Sequence, residues 1–327
     1  MDERSGVAGL DGRVEEAAAI LGDVATRDEP LAPFTTYRVG GSAALYVRAH
    51  RHDDLVTVAA ARRATGLPVL VVGRGSNLLV ADEGFAGIAL SVAHLADSID
   101  VDGAATATIG EGVVVRAGGG VALPILARRT AAAALHGFEW AVGVPGSVGG
   151  AVKMNAGGHG SDMAACTVDV DVADLATDGV PVTRPVGQLG LRFRGSDLTD
   201  DEVVLGARLA LRRGDRAVAE AELSEIVRWR RANQPGGQNA GSVFVNPVPG
   251  EVSAASLVDG LGLRGLRIGS AHVSDKHANF IQAAEGGAAA DVRAVMEEVR
   301  RRVAEATGFH LRSEVRLIGF PDDRSGS

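Results

Sequence analysis

The stretch GFEWAVGVPGSVGGAVKMNAGGHG runs from Gly137 to Gly160 and is the densest glycine run in the chain. Pro145 stiffens a turn between glycines. A backbone so bare of side chains admits positive φ and lets a ligand approach its amides closely. It suits the edge of a flat, phosphate-bearing cofactor. It equally suits a set of tight turns linking strands, and the residues alone leave both readings open. A second stretch, VVGRGSNLLVADEGFAG (Val71–Gly87), places Gly73, Gly75 and Ser76 just after an apolar run. Successive amides there can form a nest for phosphate oxygens, with Asn77 hydrogen-bonding the loop or a ligand. Two such loops suggest a large dinucleotide without identifying it.

Working outward, the chain has 327 residues, which suits two or three domains. Hydrophobic residues make up 46% and aromatics 4%, so the core is built mainly of Val, Leu and Ala. Glycine numbers 44, roughly double the usual share. The net charge of −8 argues against wholesale nucleic-acid binding. The single cysteine, Cys166, excludes an internal disulfide and any Cys-pair metal site, and fits a reducing compartment. MDERSGVAGLDGR at the start lacks the apolar stretch of a signal peptide. No segment is long and apolar enough for a bilayer. A cytoplasmic protein without membrane insertion is expected, and a monomer, since no long apolar seam stands free of a core role.

Periodicity predicts helices over Val14–Leu21, Asp53–Thr65, Leu123–Ala134, Asp215–Ala232 and Asp291–Thr307. Asp53 or Asp54 suits the cap of the second and Asp291 that of the last. Ala219, Leu223, Ile226 and Val227 form one buried stripe; Val292, Val295, Met296, Val299 and Val303 form another. Strands are expected at Tyr37–Val47, Leu67–Val72, Ile88–Val92, Ser98–Val101, Ala105–Gly110, Val113–Arg116, Cys166–Val172, Val203–Leu211 and Leu311–Ile318. The tail DDRSGS is expected to be disordered.

Standard signatures are missing. No G-x-G-x-x-G lies in a strand–helix setting, and there is no phosphate loop ending in G-K-[ST]. Neither Ser147 nor Ser242 sits in a G-x-S-x-G elbow. His272 and His277 lack a metal-binding frame, so no metal is expected. In QPGGQNAGSVFVNP (Gln234–Pro247), Ser242 stands between a glycine and a short apolar run. Local sequence alone makes it an ordinary turn serine.

Taken in order, TTYRVGGSA (Thr35–Ala43), VGRGSNLLVADEGFAG (Val72–Gly87), the Gly137–Gly160 stretch, LRFRGS (Leu191–Ser196), QPGGQNAGSVFVNP, GSAHVSDKHANFIQ (Gly269–Gln282) and LRSEVRLIGF (Leu311–Phe320) cover nearly the whole chain. This ordered set resembles the bacterial UDP-N-acetylenolpyruvoylglucosamine reductase (MurB) family. With only Tyr37 and Tyr46 and a compact third domain, the chain looks like the shorter type lacking an inserted tyrosine loop.

The resemblance implies an α+β multidomain protein with an FAD-binding fold of the PCMH or vanillyl-alcohol-oxidase type. Two FAD-binding parts, 1–80 and 81–213, would precede a C-terminal α+β substrate-binding domain, 214–320, and the tail 321–327. It implies non-covalent FAD, NADPH as reductant, and UDP-N-acetylenolpyruvoylglucosamine as substrate, reduced to UDP-N-acetylmuramate for peptidoglycan synthesis. By motif match, Ser242 is the general acid that protonates the enol-like intermediate, a weak acid needing a preorganised position. Arg194 would hold the substrate carboxylate through paired hydrogen bonds. Glu314 would be protonated beside the developing charge, or orient Ser242 or a water.

Softer substrate roles fall to Arg231, Asn246, Lys276, His277, Asn279 and Arg316. FAD contacts are expected from Tyr37, Val39, Gly73, Arg74, Gly75, Ser76, Asn77, Leu78, Gly143, Pro145, Gly146, Ser147, Gly149, Asn155 and Gly157. The chain departs from the family pattern at Phe193, Gly195, Leu198, Thr199 and Val245, where two basic residues that usually face the substrate are missing. The alternatives are a different flavin oxidoreductase on this fold or a non-catalytic UDP-sugar-binding paralogue.

Overall fold

In a computed structural model, which describes residues 3–321, the chain divides into two compact units. The first comprises Met1–Asp28, Ala44–Arg74 and Ala86–Trp229; the second comprises Glu29–Ala43, Gly75–Phe85 and Arg230–Ser327.

The first unit holds two sheets. A four-stranded sheet runs in the order Ala25–Pro30, Ser42–Arg48, Phe85–Ser91, Val69–Val71, and its last pair is parallel, with Val69 opposite Ile88. Helix His52–Thr65 buries Leu55, Val58 and Ala61 in a core with Leu45, Val47, Ile88 and Leu90. The larger sheet orders Pro181–Pro185, Thr167–Asp174, Glu202–Arg213, Gly112–Gly118 and Ile99–Asp100, with Leu135–His136 also pairing to Glu202–Arg213. All of these pairings are antiparallel. On Glu202–Arg213 burial alternates from Leu205 to Leu211, and Ala207, Leu209 and Leu211 pack with Leu123, Leu126 and Phe138.

The second unit pairs Leu78–Val80 in parallel with Arg316–Ile318, and carries an antiparallel sheet of Arg267–Ile268, Ala271–Val273 and Ile281–Ala283. Helices Ala254–Gly260 and Ala289–Thr307 cover it. The predicted stripe Val292, Val295, Met296, Val299 and Val303 is buried. Each fully buried valine contributes about 1.5–3 kcal/mol relative to exposure. Gly308, at φ 76°, ends the helix by returning its N–H to Ala304.

Several boundaries differ from the sequence reading. The first helix spans Glu3–Leu21 rather than Val14–Leu21. Helix His52–Thr65 has Arg51 at its N-cap; Asp54 acts from inside the first turn, accepting from the His50 and Arg51 amides. The last helix starts at Ala289, and Asp82 caps it from 207 positions away, accepting from the Ala289 and Ala290 amides. Asp291 instead accepts from Ser270. Ala105–Gly110 is not a strand: its ends turn at Gly103 and Gly110, both at positive φ. The strand expected at Tyr37–Val47 begins only at Ser42, and that at Leu311–Ile318 only at Arg316. The expected tail DDRSGS lies outside the described residues. Among the described residues, no helix is long and apolar enough to cross a membrane.

Candidate active site

In the first unit the two glycine loops meet. Ser147 caps helix Val148–Lys153, its hydroxyl accepting from the Gly150 amide at 3.4 Å. The same hydroxyl fills the space beside Gly73: a Cβ there would lie 2.5 Å from Ser147 Oγ. Gly73 therefore lacks a side chain because the Gly143–Gly149 loop passes against it. That loop is fastened along Gly119–Leu123 by Val148 N–H to Val121, Gly149 N–H to Gly119 and Leu123 N–H to Gly146, at 2.8–3.0 Å. Pro145 is exposed and Gly143 buried. Among the described residues, the amides from Gly73 to Asn77 donate to no protein acceptor, which leaves them available to an anion. Sequence reasoning passed over Gly119 and Gly120, whose signal was a triple glycine closing a strand; added Cβ atoms there would strike the Val204 carbonyl and the Ala93 backbone.

Arg194 sits on a tight turn in which Arg192 and Gly195 exchange both backbone hydrogen bonds. Its φ is 57°, a left-handed conformation that an L-residue holds only under support. The support comes from Nη1, which donates to the Gly157 carbonyl at 3.2 Å, and from the Phe193 ring 5.2 Å away. Asn155, 4% exposed, braces the same turn. Its Nδ2 donates to the Arg192 carbonyl and to Asp162, and its Oδ1 accepts from Ala164. Both polar ends of Asn155 are thus engaged within the protein.

In the second unit Gly241, at φ 78°, delivers Ser242 into the short segment that follows. Asn239 braces the turn, accepting from Gly241 N–H and donating to the Gly236 and Gly237 carbonyls. Phe244 pairs antiparallel with Ser313, so Glu314 N–H meets the Val243 carbonyl at 2.8 Å. Ser242 and Glu314 are thereby set in neighbouring register. Ser242 is half-buried, and among the described residues its hydroxyl has no hydrogen-bond partner. Arg316 pairs with Leu78 and donates its N–H to Asn77, while Asn77 Nδ2 donates to the Glu314 carbonyl at 3.0 Å. Glu314 lies in a bend two residues before the strand that Arg316 opens.

The softer candidates divide. Asn279, 4% exposed, exchanges two side-chain hydrogen bonds with the Phe244 backbone, at 3.0 and 2.9 Å. Its amide holds the serine segment. Asn246 is exposed, and its Oδ1 accepts from Ala254 N–H. Lys276 Nζ donates to the Arg231 carbonyl, tying those two residues together. His277 Nδ1 accepts from Asn279 N–H at 3.2 Å, so its ring is neutral there and the proton sits on Nε2. Burial, then the Arg264 charge, lowers its pKa. Tyr37 and Val39 are buried in the core of this unit; burial, tempered by the Ala240 backbone, pushes the Tyr37 hydroxyl's pKa up. The candidates thus gather in groups: Gly73 with Ser147, and Arg194 with Asn155 and Gly157, in the first unit; Ser242, Glu314, Arg316, Asn77 and Asn279 in the second.

Two family models match the chain. Residues 43–180 match an FAD binding domain, and residues 233–318 match the C-terminal domain of UDP-N-acetylenolpyruvoylglucosamine reductase. The reductase of that name from Heliobacterium modesticaldum is 40% identical over 296 residues, spanning 90% of each chain. That from Paramagnetospirillum magneticum is 40% identical over 299 residues, covering 91% of this chain and 93% of its own. The crystal structure of UDP-N-acetylenolpyruvylglucosamine reductase from Thermus caldophilus superposes with a TM-score of 0.70 at 33% identity, covering 88% of this chain and 97% of that one.

Proposed function

The chain belongs to the UDP-N-acetylenolpyruvoylglucosamine reductase family, and from that premise we propose that it reduces UDP-N-acetylenolpyruvoylglucosamine to UDP-N-acetylmuramate with NADPH as reductant. The setting is peptidoglycan precursor synthesis in the cytoplasm. Its α+β fold carries an FAD-binding domain, and the glycine cradle at Gly73 and Ser147 fits such a group. FAD, when bound, supplies the hydride that it has received from NADPH.

The observation that carries the reading is the Ser242–Glu314 arrangement. Hydride addition to the vinyl carbon leaves negative charge on the adjoining carbon and its carboxylate, and a proton must reach that carbon. Ser242 is held by a braced turn, and its hydroxyl is not committed elsewhere, so it serves as general acid. Glu314, in adjacent register, orients the serine or replaces its proton. Arg194, on its supported turn, binds the substrate carboxylate and stabilises the charge that develops there.

Arg316, Asn246, Arg231, Lys276 and His277 contribute to recognition of the nucleotide sugar within the substrate-binding part, 214–320. In this part His277 acts as a neutral donor and Asn279 as a positioning residue. Gly73–Leu78, Gly143–Gly149 and Tyr37–Val39 hold FAD without a covalent bond; Asn155 and Gly157 contribute by supporting the Arg194 turn.

Anaerobic stopped-flow absorbance of the flavin band tests the proposal. NADPH should bleach the flavin, and the enolpyruvyl substrate should restore it, with UDP-N-acetylmuramate identified by mass spectrometry. Bleaching without restoration by this substrate would point to a different flavin oxidoreductase. Failure to take up FAD would favour a non-catalytic paralogue.

A further inference from the structure

A cluster in the first unit stands apart from every residue assigned above. His136 ends the strand Leu135–His136, Glu139 opens the following helical turn, and Glu222 lies on helix Arg216–Asn233. One ligand atom from each lies within 4.8 Å of the other two. His136 Nε2 is 2.9 Å from the Asp215 carbonyl, which can only accept, so Nε2 carries a proton. The Nδ1 side of the ring then faces Glu139 Oε1 at 2.9 Å.

Glu139 is 5% exposed. Its Oε2 accepts from Gly137 N–H at 2.7 Å, which fixes the carboxylate, while no well-aligned hydrogen bond reaches Oε1. A nitrogen lone pair and a carboxylate oxygen at this separation need a cation in common. A proton on Nδ1 is poorly directed for the task and leaves Glu222 beside a second carboxylate.

We propose that His136, Glu139 and Glu222 form a binding site for a divalent transition-metal cation. One imidazole nitrogen and two carboxylate oxygens suit Zn²⁺ better than Ca²⁺ or Mg²⁺, which prefer oxygen alone. Ligands at zinc distances lie roughly 3–3.5 Å apart, close to the existing His136–Glu139 separation. Only exposed Glu222 must adjust, by a side-chain rotation. The outer contacts are in place: Nε2–H on a backbone carbonyl fixes the tautomer, and Gly137 orients the carboxylate. Gly214 leaves room for the ring, since a Cβ there would strike His136. The site does not depend on the proposed reductase activity.

The test is isothermal titration of Zn²⁺ into tag-free, chelator-treated and dialysed flavoprotein. One ion should bind per chain. Glu222→Gln, an exposed change that preserves the fold, should weaken binding by about tenfold or more, and His136→Gln should abolish it. No binding by the wild type at millimolar Zn²⁺ would overturn the proposal. So would an affinity unchanged by Glu222→Gln, which decides the matter even if His136→Gln fails to fold.

Discussion

The side-chain amide of Asn77 donates to the backbone carbonyl of Glu314 at 3.0 Å, joining residues 237 positions apart. The contact is reciprocal, because Arg316 N–H donates to the Asn77 carbonyl at 3.0 Å. A residue of the glycine loop therefore clamps the segment that carries the candidate glutamate. Asn77→Ala should cost ~1 kcal/mol of stability, the net worth of one hydrogen bond. It should also slow flavin reoxidation by the enolpyruvyl substrate by about tenfold, since a small misplacement of a positioned group is expensive. Stopped-flow measurement of the separate half-reactions checks this; an equal loss in both would place the effect on cofactor binding.

Ser242 offers a cleaner separation. Its hydroxyl makes no hydrogen bond among the described residues, so Ser242→Ala should leave stability within about 0.5 kcal/mol of wild type. NADPH should bleach the flavin of this variant at the wild-type rate. Reoxidation by the enolpyruvyl substrate should fall by about 10²–10⁴-fold, the usual range for a lost general acid. Normal reoxidation would return Ser242 to the status of a turn residue.

Local pattern and long-range contact explain what the sequence could and could not show. The buried stripe from Val292 to Val303 was legible because helical periodicity records burial directly. The cap of the same helix was not, because Asp82 arrives from 207 positions away while Asp291 turns to Ser270. The glycine loops could be found as composition, but nothing local says that Ser147 occupies the space beside Gly73. Asn155 and Asn279 drew attention as polar residues in motifs. Their amides brace the Arg194 turn and the Ser242 segment, partnerships fixed only by the folded chain. The same holds for His136, Glu139 and Glu222, whose spacing matches no metal motif.

Asn279→Ala removes both side-chain hydrogen bonds to Phe244 and leaves that residue's buried N–H and carbonyl without them. At about 1–3 kcal/mol for each of these two unsatisfied groups, a loss of roughly 2–6 kcal/mol is expected in denaturant unfolding. A positioning role predicts that kcat falls while KM for the nucleotide sugar changes little. A rise in KM alone would instead make Asn279 a substrate contact.

The pH dependence of stability follows from His277 and His272. Both pKa values are lowered from 6.5, by burial first and then by Arg264 and Arg267 respectively. The folded chain therefore holds fewer protons than the unfolded chain between the two pKa values, and stability rises with pH across that window. The contribution is complete above 6.5 and is lost as pH falls through the folded values. Protonation of His277 also removes the acceptor that Asn279 N–H uses, which links the loss to the Ser242 segment. Denaturant midpoints measured from about pH 8 down to about pH 5 should decline, and His277→Gln should flatten that decline. An unchanged slope in the variant would mean that His277 binds its proton equally in the folded and unfolded chains, and would remove it as the source of the decline.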